Sequence, residues 1–201
     1  MLRTIENHVE NIIEIQKSKF VCDLYYVDNE ADAKSILQNI REKHPKAVHH
    51  CYAYVIKQEF QNIENQSDDG EPSKTAGIPM LEILRYENLV NVLAVVTRYF
   101  GGTLLGTGGL IRAYSSSVKQ AVDIASIKEA ILMNGYKIKI SYSTHQIIEH
   151  FLSTVDAKIE SIEYLEDVEI IFYSDVENLD KQLINKTNNE IIIEELTKKY
   201  L

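Results

Sequence analysis

The sequence predicts an α+β protein of two domains, residues 1–134 and 135–201, and three observations carry that expectation. Short runs rich in Val, Ile, Phe and Tyr are interleaved with stretches whose apolar residues recur every three or four positions, the two periods of strands and helices. One run, Asn91 to Phe100, is almost continuously apolar, as expected of a central strand covered on both faces. Ten of the eleven glycines and prolines lie between Pro45 and Gly109, and the remaining one, Gly135, opens a new pattern. Unusual backbone is therefore concentrated in one third of the chain.

The elements follow in order. Val9 to Ile15 and Lys19 to Val27 read as strands with Ser18 at the turn between them. Asn29 is placed to cap a helix, with Asp32 near its positive end. Ala33, Ile36, Leu37 and Ile40 share one face of that helix, which ends before His44-Pro45 because the residue preceding proline avoids helical angles. Val48 to Lys57 alternates, with His49, Cys51, Ala53 and Val55 on one face and His50, Tyr52, Tyr54 and Ile56 on the other. Gln58 to Ser73 is polar and reads as a long loop. Pro79 opens a helix at its first position, with Met80, Ile83 and Leu84 inward. After the Asn91–Phe100 strand comes a glycine-rich turn, then a helix marked by Leu110, Tyr114, Val118, Ala121 and Ala125.

Beyond Gly135, Tyr136 to Tyr142 reads as a strand and Thr144 as the cap of a helix carrying Ile147, Ile148, Phe151, Leu152 and Val155. Lys158 to Tyr164 and Val168 to Tyr173 read as paired strands turning at Glu166-Asp167. Val176 to Asn188 reads as a helix and Glu190 to Ile193 as a last strand. The order β-α-β-β-α-β is the ferredoxin-like plan.

Composition narrows the function. The chain has 201 residues, 45% hydrophobic and 25% charged, which excludes disordered and collagen-like classes. The formal net charge of −9 disfavours a protein that coats nucleic acid through a surplus of Lys and Arg. Two cysteines, Cys22 and Cys51, make no disulfide framework and read as reduced thiols of a cytoplasmic protein. The first residues lack a basic segment followed by an apolar run, so no signal peptide is expected. No apolar stretch is long enough to span a membrane.

Three clusters occupy the glycine and proline zone. His49-His50-Cys51-Tyr52-Ala53-Tyr54 lie on a strand. Ser67-Asp68-Asp69-Gly70-Glu71-Pro72-Ser73 run on to Thr75-Ala76-Gly77-Ile78-Pro79-Met80-Leu81. Thr97-Arg98-Tyr99-Phe100-Gly101-Gly102 lead to Leu105-Gly106-Thr107-Gly108-Gly109-Leu110-Ile111-Arg112-Ala113-Tyr114. In combination these residues closely resemble the IMPACT/YigZ family, in its bacterial two-domain form. The resemblance covers most of the first domain. Lys74 stands where the family usually carries glycine.

The resemblance implies a first domain with the fold shared by the second domain of a ribosomal small-subunit protein and domain IV of elongation factor G. It implies a second domain similar to the last domain of that factor. Eukaryotic members regulate translation through control of an initiation-factor kinase, so a ribosome, an RNA or a translation-factor protein is the implied partner. The loop residues singled out by the resemblance are Asp68, Asp69, Glu71, Ser73 and Thr75.

The residues themselves leave alternatives open. Gly101, Gly102, Gly106, Gly108 and Gly109, flanked by Arg98 and Arg112, suit an anion or nucleic-acid backbone, because a helix start offers free N–H groups. The same glycines equally suit a tight strand-to-helix connection. Asp68, Asp69 and Glu71 are candidates for a divalent cation or acid/base chemistry, or for a self-bonded turn, or for pairing with Arg98 or Arg112. No metal or cofactor is assigned, since no further ligand is suitably spaced. His49 and Cys51 share a strand face but stand too far apart for a tight pair, and read as structural. Ser115 to Ser117 lie inside a helix without a nucleophile turn. Tyr99 and Phe100 either stack on bases or pack in the core. Two functions from different classes follow: a binding module of the translation machinery, and an enzyme or small-ligand protein taking a phosphorylated substrate at the glycine-rich turn.

Overall fold

A computed structural model describes residues 1–188 and 190–201. The chain divides into two compact units, Met1–Ala130 and Ile131–Leu201. Asn134 and Gly135, the expected boundary, lie inside a strand of the second unit.

The first unit is a five-stranded antiparallel sheet with helices on both faces. Its strands are β2 (Val9–Ile15), β3 (Ser18–Tyr26), β4 (His49–Lys57), β5 (Asn62–Ser67) and β6 (Val92–Tyr99), in the order β2-β3-β6-β4-β5. β6 is central and buried along nearly its whole length. Its continuous apolar run therefore reflects two covered faces rather than parallel pairing. Helix α1 (Glu30–Lys43) covers one face, where Ala33 and Ile40 meet Tyr54, Ile56, Leu93 and Val95. Asn29 caps it through a 2.9 Å bond from the Asp32 amide. The opposite face carries α2 (Gly77–Tyr86) and α3 (Gly106–Ile124), with Met80, Leu84, Tyr114 and Val118 fully buried. Two three-residue strands, β1 (Arg3–Ile5) and β7 (Ile127–Glu129), pair to tie the ends of the unit together.

Several expectations are corrected here. The polar stretch from Gln58 to Ser73 is not all loop, because β5 pairs with β4 from Tyr52↔Ser67 to Lys57↔Asn62. Its polar sequence suits an edge strand with water on its outer side. Helix α2 begins at Gly77, so Pro79 is its third residue, still within the turn whose N–H groups need no helical partner. Helix α3 begins at Gly106, so the glycine-rich connection ends at Leu105 and Gly108 and Gly109 are helical.

The second unit holds β8 (Leu132–Ile140), α4 (Tyr142–Thr154), β9 (Lys158–Tyr164), β10 (Val168–Ser174), α5 (Leu179–Lys186) and β11 (Ile192–Tyr200). The antiparallel sheet runs β11-β8-β10-β9. Ile138, Ile140, Ile170 and Phe172 form one core with Ile148, Leu152, Leu179 and Leu183 from the helices. Ser141, not Thr144, precedes α4; α5 is shorter than expected, and β11 is longer and shifted toward the C-terminus.

Candidate functional site

The acidic loop is built as a clamp. Helix α2 starts after Ala76, which has no side chain able to cap it. Asp68, upstream, takes that role: its Oδ1 accepts the N–H groups of Ala76 and Gly77, each at 2.9 Å, and its Oδ2 accepts that of Lys74 at 2.7 Å. A carboxylate at the positive end of a helix is favourably placed. Asp69 Oδ2 accepts the His50 N–H at 2.7 Å, and its Oδ1 pairs with Arg41 at 2.7 Å. Thr75 is buried, donating from its hydroxyl to the Pro72 carbonyl at 2.6 Å, whereas Ser73 is exposed. Lys74 adopts φ +64, in the left-handed region that favours glycine.

Glu71 turns inward from this loop. Its side chain is 4% exposed, and Oε1 accepts from Arg98 Nη1 at 2.6 Å and from the Tyr114 hydroxyl at 2.8 Å. Arg98, 6% exposed, lies between the Phe20 and Phe100 rings at 5.4 and 5.6 Å, and its Nη2 reaches Ser18 Oγ at 3.4 Å. The pairing of the acidic loop with an arginine is thus realised at Glu71 and Arg98. Burial pushes the Tyr114 hydroxyl pKa far up, as do the neighbouring Cys51 and Glu71, so it remains a donor to the carboxylate.

His49 and Cys51 complete the surroundings. His49 Nδ1 donates to the Asp69 carbonyl at 2.8 Å, since a carbonyl only accepts. Its Nε2 faces Glu71 Oε2 at 3.9 Å. The Cys51 thiol donates to the Asp68 carbonyl at 3.0 Å, and burial pushes its pKa up to about 12. Among the described residues no group of three or more His, Cys, Asp and Glu is placed to hold a metal ion.

The glycine connection divides into different tasks. A Cβ on Gly101 would stand 2.0 Å from the Lys17 carbonyl carbon, so this position packs backbone against backbone at the β2–β3 turn. Gly106 has nothing within 4 Å of where a Cβ would sit. The start of α3 has neither a side-chain cap nor an acidic residue in its first turn, leaving its positive end open. Arg112 is exposed and bonds back to the Gly108 carbonyl at 3.2 Å. Arg98 and Arg112 therefore do not converge on one anion. Tyr99 bonds His44 at 2.8 Å, and Phe100 is half exposed rather than a core residue. Ser117 is buried and donates to the Ala113 carbonyl.

A cavity of about 390 Å³ opens between the 67–75 loop and the start of α3. His49, Glu71 and Arg98 line it, as do Phe100 and Leu104, and Gly106 and Thr107 bring the α3 N-terminus to it. Sequence reasoning placed Tyr114 only as a core residue. The signal for its role was a hydroxyl on an otherwise apolar helix face, which needs a buried partner.

Comparison with known proteins gives consistent matches. A family model described as the Impact N-terminal domain matches residues 16–122, and one described as a domain of unknown function, DUF1949, matches residues 138–190. IMPACT family member YvyE of Bacillus subtilis is 42% identical over 170 residues, covering 85% of this chain and 78% of its own. IMPACT family member YigZ of Escherichia coli is 39% identical over 153 residues, covering 75% and 74%. A solved structure described only as that of a hypothetical protein superposes with a TM-score of 0.67 at 31% identity, covering 96% of this chain and 95% of its own.

Proposed function

The chain belongs to the IMPACT family, and from that premise we propose that it is a translation-associated regulatory protein that acts by binding RNA, the ribosome or a translation factor. The observation that carries binding over catalysis is the state of the acidic loop. Asp68, Asp69 and Glu71 are each held by hydrogen bonds within the fold, as a scaffold that shapes a loop. What this scaffold presents is an open surface with Phe100 48% and Leu104 84% exposed beside an uncapped helix start. Exposed apolar side chains grouped at a polar rim mark interaction sites.

The translation assignment comes from the family resemblance of the motif set. The first unit is read as the fold of a ribosomal small-subunit protein's second domain. The second unit is read as ferredoxin-like, similar to the last domain of elongation factor G; its β-α-β-β-α-β order and its β11-β8-β10-β9 sheet support this. Two free, buried cysteines fit a reducing cytoplasmic setting.

Sedimentation of the full chain with ribosomal particles on a low-salt gradient tests the proposal. The expected result is co-migration that a Phe100→Ala/Leu104→Ala variant loses. A chain that stays at the top of the gradient overturns it.

A further inference from the structure

The cavity is lined by two acceptor atoms that make no hydrogen bond among the described residues. Glu71 is fixed through Oε1; among the described residues Oε2 makes no hydrogen bond, and His49 Nε2 stands 3.9 Å from it. His49 commits Nδ1–H to the Asp69 carbonyl, so its neutral ring carries a lone pair on Nε2, toward the same space. Arg98 balances the carboxylate charge, which makes this a fixed acceptor pair rather than a bare anion. The cavity also has an aromatic wall, the half-exposed Phe100 ring, with Leu104 beside it. At its other end stand the uncapped N–H groups of α3, a 19-residue helix, at Gly106 and Thr107.

A ligand that answers all three features has an edge of N–H donors, a flat ring and an anionic group. We propose that this cavity binds a single guanine nucleotide. Its N–H donor edge meets Glu71 Oε2 and His49 Nε2, its ring lies against Phe100, and its phosphate sits at the α3 N-terminus. The volume of about 390 Å³ falls within the usual range of small-ligand pockets. Guanine is favoured over bases with a single donor group because two acceptors stand side by side. The inference rests on the reading of this surface as the binding surface, and it names the chemistry taken there. The nucleotide is either free or the 5′-phosphorylated end of an RNA.

Titration calorimetry of the full chain with GMP, IMP and ribose 5-phosphate tests this, followed by oligoribonucleotides that begin with G and carry a 5′-phosphate or a 5′-hydroxyl. GMP is expected to bind at least tenfold more tightly than IMP, which lacks the amino donor, because a site that bonds a ligand donor discriminates against the analogue without it. Phe100→Ala and Thr107→Glu, both at exposed positions that leave the fold intact, each weaken GMP at least tenfold. Tighter binding of GMP than of the phosphorylated oligonucleotide supports a free nucleotide, and the reverse supports an RNA end. Absence of GMP and RNA-end binding at millimolar concentration, equal affinity for IMP, or indifference to both variants overturns the inference. A chain that still co-migrates with ribosomal particles while ignoring GMP fails only here, and the proposed function stands.

Discussion

Arg98 Nη1 and Glu71 Oε1 meet at 2.6 Å, and each side chain is almost wholly buried. This ion pair joins the end of the central strand to the acidic loop, with Tyr114 from α3 on the same oxygen. The strand, the loop and the long helix are thereby locked around one carboxylate, which sets the shape of the cavity above it.

Breaking this pair on one side strands a buried charge. Arg98→Met is expected to destabilise the chain by about 3–5 kcal/mol in urea unfolding, and Glu71→Gln/Arg98→Met by less than the sum of the two single changes. A single-variant cost below about 1 kcal/mol would show that the pair is not structural.

Asp68 satisfies three N–H groups at the start of α2. Asp68→Ala is expected to cost about 2–3 kcal/mol, and Asp68→Asn clearly less, since one acceptor oxygen is kept. Equal losses for the two variants would contradict the clamp.

Two backbone positions respond with opposite signs. Lys74, at φ +64, is exposed, so Lys74→Gly removes a conformational penalty of about 1 kcal/mol and raises the melting temperature. Gly101→Ala drives a methyl into the Lys17 backbone and is expected to cost at least about 1–3 kcal/mol. Thermal unfolding of both variants reads both signs.

Both thiols are held protonated by burial, Cys51 with its pKa at about 12 and Cys22 pushed above the ordinary range, with Asp23 adding to the effect. Ellman's reagent at pH 8 is expected to find no reactive thiol in the native chain and two after unfolding. The folded state keeps these protons while the unfolded state releases them near pH 8.5–9, so the unfolded state binds fewer protons and stability falls as pH rises through that range. A Cys22→Ala/Cys51→Ala variant is expected to show a flatter urea midpoint between pH 8 and 10.

What the sequence made legible followed from local rules. The Asn29 cap, the strand at β4 and the buried run of β6 all stand in the structure as read. What it hid depended on tertiary neighbours. Asn62–Ser67 carries too little apolar pattern to announce a strand and is one only because β4 is beside it. Gly106, Gly108 and Gly109 suggested a turn, yet they form the first turn of α3, whose apolar face at Leu110, Tyr114 and Val118 anchors it to the sheet. Of three loop carboxylates, sequence spacing alone gave no means to choose which one pairs with Arg98, because that choice is made by the fold of the chain between residues 27 positions apart.

The most direct test of the account is amide hydrogen exchange, read by mass spectrometry, on the full chain with and without ribosomal particles. Added protection is expected over residues 100–110, the surface above the Glu71–Arg98 pair, and none in the Phe100→Ala/Leu104→Ala variant. Unchanged exchange over 100–110, with protection appearing only elsewhere or nowhere, would contradict it.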